Sequence, residues 1–330
     1  MKKIINEVQD ILEQMLEGFV FTNDQIVKRL EGTNVIYRKF EDKGKVALVS
    51  GGGSGHEPSH AGFVGKGMLS AAVCGEVFTS PTPDQVFEAI KISDQGAGVL
   101  LIIKNYTGDV MNFEMAAEMA EMEGIKVEKL VVDDDIAIED SLFTAGKRGV
   151  AGTVIVHKLL GAAAASGLSL TEIKTLGEAI NTNLKTIGVA ISAATVPAVG
   201  KPGFELAEDE MEYGVGIHGE PGYRREKIKP SREIAEELVT KLKEDFKWTS
   251  GERYGLLVNG LGATPLMEQY VFINDVANLL DTAGLQIEFK KVGSLMTSID
   301  MAGVSLTLLK IADDQWVDYW NYAVETTNWA

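Results

Sequence analysis

Cysteine is almost absent. Cys74 stands alone in 330 residues, so no intrachain disulfide can form, which fits a reducing compartment. Positive charge is short: 31 Lys and Arg face 48 Asp and Glu, a formal net charge of −17. Such a field repels phosphate backbones and argues against nucleic acid as a direct ligand, while leaving a basic protein partner open. Long apolar runs are missing as well. No stretch reaches 18 uninterrupted apolar residues, so no membrane span is expected. The opening "MKKIINEVQDILEQML" has two lysines but no apolar region of the kind a signal peptide needs, because Glu7, Asp10 and Glu13 interrupt it; it reads as an amphipathic helix, and the cytoplasm is the expected location. Fixed-period repeats, low-complexity tracts and heptads are lacking too.

What is present is an ordinary globular composition, 45% hydrophobic and 24% charged, long enough for two domains. Glycine is plentiful, 35 residues against a usual share of about 7%, and it collects at strand ends, where α/β proteins place ligands. Strands and helices alternate. "KVALVS" reads as a buried strand, "PDQVFEAIKIS" as a helix with Pro83 in its first turn, "AGVLLIIKN" as a second strand. "DVMNFEMAAEMAEMEG" follows as a helix whose wet face carries Glu114, Glu118 and Glu121 and which Gly124 ends. "KVEKLVVDD" is a third strand, then come the helices "TVIVHKLLGAAAASG" and "SLTEIKTLGEAINTNLK". This series predicts a largely parallel sheet covered by helices. It restarts near Thr186 with "TIGVAIS", a long irregular stretch, a helix near Ser231–Glu244, "RYGLLVNG", a helix near Pro265–Ala283, "LQIEFKKV" and "GVSLTLLKI". The expectation is an α/β protein of two domains, 1–184 and 185–330, each a mostly parallel or mixed sheet covered by helices.

Four segments carry candidate chemistry. "SGGGSGHEPSH" fits neither G-x-G-x-x-G, whose sixth position here is His56, nor G-x-x-x-x-G-K-[ST], so a nucleotide loop is a poor reading. Its glycines still let backbone N–H groups approach a small ligand, although a tight turn alone would also explain them. His56, following these glycines at the expected carboxyl end of a strand, can exchange a proton near neutrality; a merely solvated ring beside Glu57 is the ordinary alternative. His60 stands four residues on, but Pro58 intervenes and no third ligand is evident, so a metal pair is weakly supported. In "IIKNYTGD", a strand over 98–103 delivers Lys104, able to hold an anion or merely solvated, and then Asp109. That residue is either an N-cap or a carboxylate placed to accept a hydroxyl proton. In "GVGIHGEPG", glycines on both sides give His218 an open approach, unless it is a turn histidine bound to backbone. His157, inside the apolar stretch "TVIVHKLL", reads as an ordinary core residue. The acidic run Asp133, Asp134, Asp135, Glu139 and Asp140 could bind Mg²⁺, but more often marks a strand end and a helix N-terminus.

Taken together, "SGGGSGHEPSHAGFVGKGMLSAAVCGEVFTSPTPDQ", "GVLLIIKNYTGDVMNFEMA", "DSLFTAGKRGVAGTV", "MEYGVGIHGEPG", "NGLGATPL" and "TSIDMAGVSLTLLK" resemble, in this order and over nearly the whole chain, the dihydroxyacetone-binding K subunits of dihydroxyacetone kinases. The resemblance implies that the three-carbon ketone is held covalently as a hemiaminal on a histidine matched by His218, with His56 and Asp109 on the substrate hydroxyls. Gly53, Ser54, Gly55 and Lys104 match pocket positions. It implies no cofactor and no metal on this chain. With nothing after Ala330 and no Walker loop, it points to the bacterial separate-subunit form. There ADP or ATP with Mg²⁺ sits on an L subunit, a multiphosphoryl M subunit of the phosphoenolpyruvate phosphotransferase system lies upstream, and the K subunit is a homodimer. A paralogous ketone-sensing transcriptional coactivator without kinase turnover is the alternative. An independent nucleotide-binding kinase is disfavoured by the missing phosphate-loop lysine.

Overall fold

A computed structural model describes residues 2–138 and 144–329; Glu139 and Asp140 of the acidic run lie outside the described residues. Two six-stranded sheets organise the chain. In the first, the strands run Val27–Arg29, Val35–Arg38, Ala71–Val77, Ala47–Ser54, Val99–Lys104 and Val127–Val132 across the sheet. The last four are mutually parallel, and the two short strands add antiparallel at one edge. Helices Pro83–Ser93 and Thr107–Met122 bury Val86, Ile90, Phe113 and Ala117 against one face. Helix Thr153–Ala165 and helix Leu170–Thr182 cover the other. The former is buried around its whole circumference, Thr153 to Ala164 without exception, and is apolar except for Thr153, His157 and Lys158. Among the described residues no helix is long and apolar enough to cross a membrane.

The second sheet is mixed. Its order is Arg224–Lys227, Glu210–Tyr213, Leu184–Ala190, Gly303–Lys310, Arg253–Gly260, Gln286–Gly293, and only the last pair is parallel. The period of two sorts its side chains. Leu256, Val258, Leu306 and Leu308 meet helices Ser231–Phe246 and Leu266–Thr282, whereas Leu257 and Leu309 face the core around helix Thr153–Ala165. The tail then returns to the first half. Helix Gln315–Asn321 packs on helix Thr153–Ala165, and the Lys158 ammonium donates to the carbonyls of Tyr319 and Tyr322 at 2.6 and 3.0 Å.

The three carboxylates of the acidic run that are described point to separate partners. Asp133 accepts from Asn181, Asp134 accepts from the backbone N–H groups of Val150 and Gly152 and from the Thr186 hydroxyl, and Asp135 pairs with Arg148. Burial raises the Asp134 carboxyl to about 6 despite those donors. Among the described residues no group of three or more His, Cys, Asp or Glu could hold a metal ion.

Candidate active site

The glycine cluster belongs to the strand itself. Ala47–Ser54 continues through Gly51, Gly52 and Gly53 before the chain turns at Gly55, and each glycine answers a close approach. A Cβ on Gly51 would come within 2.5 Å of the Val73 carbonyl, and one on Gly53 within 2.5 Å of the Thr79 nitrogen. At Gly52, whose φ is +153°, a Cβ would overlap the Lys104 ammonium and come within 3.5 Å of the Asp109 carboxylate. Gly52→Ala is therefore expected to displace that ion pair and to reduce activity more than thermal stability; an alanine variant with unaltered kcat and KM would show the contact to be dispensable.

Beyond the strand, the loop at 55–59 is stitched to residues 295–299 of the other half. Ile299 and Thr297 donate their N–H groups to the carbonyls of Gly55 and His56 at 2.7 and 3.2 Å, and the Ser59 hydroxyl donates to the Leu295 carbonyl. This seam places His56. Its Nδ1 lies 2.6 Å from the Thr297 carbonyl oxygen, which can only accept, so the proton is on Nδ1 and Nε2 carries the lone pair. The ring is fully buried and stacks on Phe78 at 5.1 Å. Burial first, then the His218 and Lys104 charges, holds His56 well below the usual imidazole range. Phe78 and Ile299 both adopt positive φ, 56° and 53°, a costly backbone for side chains of this size. Both lie at this seam, where strain marks a place that the surroundings over-determine.

His218 comes from the loop between strands Glu210–Tyr213 and Arg224–Lys227, and its Nε2 stands 3.0 Å from that of His56. Its Nδ1 is 3.0 Å from the Glu220 carboxylate, which also accepts the His218 backbone N–H at 2.9 Å. Burial alone would raise the Glu220 carboxyl, but the His218 ring and Arg148 outweigh it and bring it down to about 2. Glu220 is thus a carboxylate at neutral pH and fixes the His218 proton on Nδ1. Tyr106 and Phe78 set their rings edge-on to His218 at 4.6 and 5.1 Å. With both Nδ1 atoms already donating, the contact between the two Nε2 atoms needs one shared proton.

A cavity of about 700 Å³ opens onto His218, lined among others by Gly53, Tyr106, Asp109 and Glu220, with His56 behind it. Asp109 is the third residue of helix Thr107–Met122, after an N-cap at Tyr106, so the N-cap alternative does not describe it. Lys104 is not solvated. It is 1% exposed, donates to the Gly51 carbonyl at 3.0 Å and lies 3.6 Å from Asp109, behind the cavity wall. Ser54 is also turned away, its hydroxyl donating to the Gly75 carbonyl, and the Gly55 N–H is taken by the Glu57 carboxylate. His60 does not pair with His56; its ring contacts Lys104 and His157 instead. Four partners escape a reading of the sequence. Glu220, Tyr106, Phe78 and Thr297 carry no motif, and only the two-residue spacing of Glu220 from His218 offered a signal.

Three comparisons bear on this arrangement. The family model described as the Dak1 domain matches residues 17–328. The PTS-dependent dihydroxyacetone kinase, dihydroxyacetone-binding subunit DhaK of Lactococcus lactis subsp. lactis (strain IL1403) is 65% identical over 328 residues, 99% of each chain. The DhaKLM operon coactivator DhaQ of the same strain is 45% identical over 329 residues, 99% of this chain and 100% of that one. Among solved structures, the dihydroxyacetone kinase from C. freundii in complex with AMP-PNP and Mg²⁺ is similar with a TM-score of 0.92 at 35% identity, over 99% of this chain and 60% of that chain.

Proposed function

Since the chain belongs to the Dak1 domain family, we propose that it is the dihydroxyacetone-binding subunit of a dihydroxyacetone kinase, a phosphotransferase that makes dihydroxyacetone phosphate. The ketone binds in the cavity as a hemiaminal on Nε2 of His218. Residues 1–184 supply the glycine strand, His56, Lys104 and Asp109; residues 185–330 supply the nucleophile. The observation that carries this reading is the His218 imidazole, oriented by Glu220, in contact with His56 and lining the same cavity as Asp109.

The chemistry follows from the hydrogen bonds. As the proton shared by the two imidazoles moves onto His56 Nε2, the freed lone pair of His218 Nε2 bonds the carbonyl carbon, the C=O π pair moves onto oxygen, and His56 passes that proton to it. The His218 ring is left as an alkylated imidazolium whose Nδ1–H still faces the Glu220 carboxylate, so charge is conserved. His56, held neutral, remains beside the new hydroxyl. Glycerol has no carbonyl and cannot pass this test, whereas hydrogen bonds to hydroxyls alone would not reject it. The adduct is a positioning device. Phosphoryl transfer gains mainly from alignment and charge stabilisation, and Asp109, assisted by His56, accepts the proton of the terminal hydroxyl as it attacks. The cavity of about 700 Å³ is many times the roughly 30 Å³ share of one water molecule, which leaves space beside a three-carbon ketone for a phosphoryl donor.

That donor is ADP/ATP with Mg²⁺ on a separate L subunit, recharged through a multiphosphoryl M subunit, and the chain works as a cytoplasmic homodimer. Support comes from the PTS-dependent relative, matched end to end at 65% identity. The coactivator reading is weaker, because that relative stands at 45%. Incubation with dihydroxyacetone and reductive trapping, followed by peptide mass spectrometry, is expected to place the adduct on His218. His218→Ala is expected to lose both the adduct and product formation with a phosphorylated L subunit. An unmodified His218 peptide, or turnover by the alanine variant, would defeat the covalent reading. Turnover with ATP and no partner would defeat the subunit assignment, and absence of product with the partner would favour the coactivator.

A further inference from the structure

We propose that His60 and His157, two buried histidines without a part in the chemistry above, are positioning residues that hold the Lys104 ammonium beside Asp109. The inference rests on the reading of Asp109 as the base. His60 Nε2 lies 2.8 Å from Lys104 Nζ, and His60 Nδ1 lies 2.8 Å from His157 Nε2. An ammonium only donates, so His60 Nε2 must accept. The His60 proton is then on Nδ1 and donates to His157 Nε2, which leaves the His157 proton on its own Nδ1. Direction is thereby fixed along the whole series, from His157 through His60 to Lys104. Two of the three ammonium hydrogens are committed, to Gly51 and His60, and the third is left for Asp109 at 3.6 Å.

The far end of the series shows that it is not there for packing. His157 Nδ1 is buried and has no hydrogen-bond partner among the described residues, and an unanswered buried N–H is destabilising. Leucine at that site in helix Thr153–Ala165 would fill the space without the loss. What leucine lacks is the acceptor that His60 needs to stay in the required tautomer. The series does not conduct protons either. Burial first, then the Lys104 charge, depresses both rings, His157 to about 3 and His60 well below its usual value, so neither takes up a proton next to a cation. The ionisable groups that face Lys104 are Asp109, His60 and His56, with His157 behind His60.

The test compares His60→Gln with His60→Asn in the complex with a phosphorylated L subunit. Glutamine can set an amide oxygen where Nε2 now sits; asparagine, one carbon shorter, cannot reach Lys104. H60N is expected to keep the ketone adduct on His218 and to lose kcat by about tenfold or more, the scale for a misplaced group. Its alkaline limb should move toward neutral pH, because an ammonium without an acceptor loses its proton more readily. H60Q is expected to restore both. A wild-type kcat and pH profile in H60N, or equal impairment in the two variants, overturns the proposal. If H60N does not fold, His157→Leu must show the same alkaline shift, and a wild-type profile there overturns it equally. Failure of the wild-type protein to form the adduct would instead count against the ketone-binding reading.

Discussion

Asp109→Asn is expected to keep the dihydroxyacetone adduct on His218 and to lose turnover by about 10²- to 10⁴-fold, the usual contribution of a placed general base. Asparagine has the same shape, and its amide oxygen can still face the Lys104 ammonium, which lies 3.6 Å from Asp109 Oδ2. What it cannot do is take a proton. Nucleophile and base lie on different elements, the loop at 215–222 and the first turn of helix Thr107–Met122, so binding and phosphoryl transfer should separate in this variant. The check pairs two measurements on one sample: adduct mass after reductive trapping, and product formed with the phosphorylated L subunit. Full turnover would remove Asp109 from the reaction. Loss of both signals in a folded variant would make it a binding residue.

The second large effect concerns acid. His56, His60 and His157 are all held neutral by burial in the folded protein, whereas each has a pKa of about 6.5 in the unfolded chain. Below that pH the unfolded state takes up protons that the folded state refuses. The stability these groups contribute is complete above about pH 6.5 and falls as the pH drops. Each group is worth about 1.4 kcal/mol per pH unit, so three approach about 4 kcal/mol per unit. Asp134 works the other way, since its carboxyl is raised to about 6 and favours the folded state as it protonates. It offsets roughly one of the three. A net loss of about 3 kcal/mol per pH unit is large against a total stability of about 5–15 kcal/mol. Urea midpoints at pH 7, 6 and 5 should fall steeply, and His157→Leu should flatten the decline by about one histidine's share. A constant midpoint across that range would show that the buried rings protonate in place.

The strands and helices with a clear period were legible. Val99–Lys104, Arg253–Gly260 and Gly303–Lys310 read as apolar runs, as did the first half of Ala47–Ser54, whose glycines read instead as a loop, and Thr107–Met122 read as a helix with one wet face. Strand Ala71–Val77 was not, because alanine, cysteine and glycine blur the alternation of "AAVCGEV". The edge hairpin Glu210–Tyr213 with Arg224–Lys227 is built of charged residues and gives no apolar signal. The irregular stretch around it hides the loop that carries His218. At the site, His56, Asp109 and His218 drew attention because glycine-rich strand ends expose side chains. His60 read as half of a weak metal pair and His157 as core filling. Their contact crosses 97 positions, and no local pattern encodes it. Thr297, which fixes the tautomer of His56 across 241 positions, is invisible for the same reason.

The seam between residues 55–59 and 295–299 has a further consequence. Each half alone has an intact sheet, yet neither holds a complete reaction centre. On the proposed reading, a ketone bonded to the second half and hydrogen-bonded to the first would be a crosslink as much as a substrate. Leu257 and Leu309 of the second sheet share a core with Leu100 and Leu159 of the first half, so a displacement of one sheet along the other is resisted by that core as well as by the seam. The alignment of His56 with His218 therefore rests on packing that both halves share.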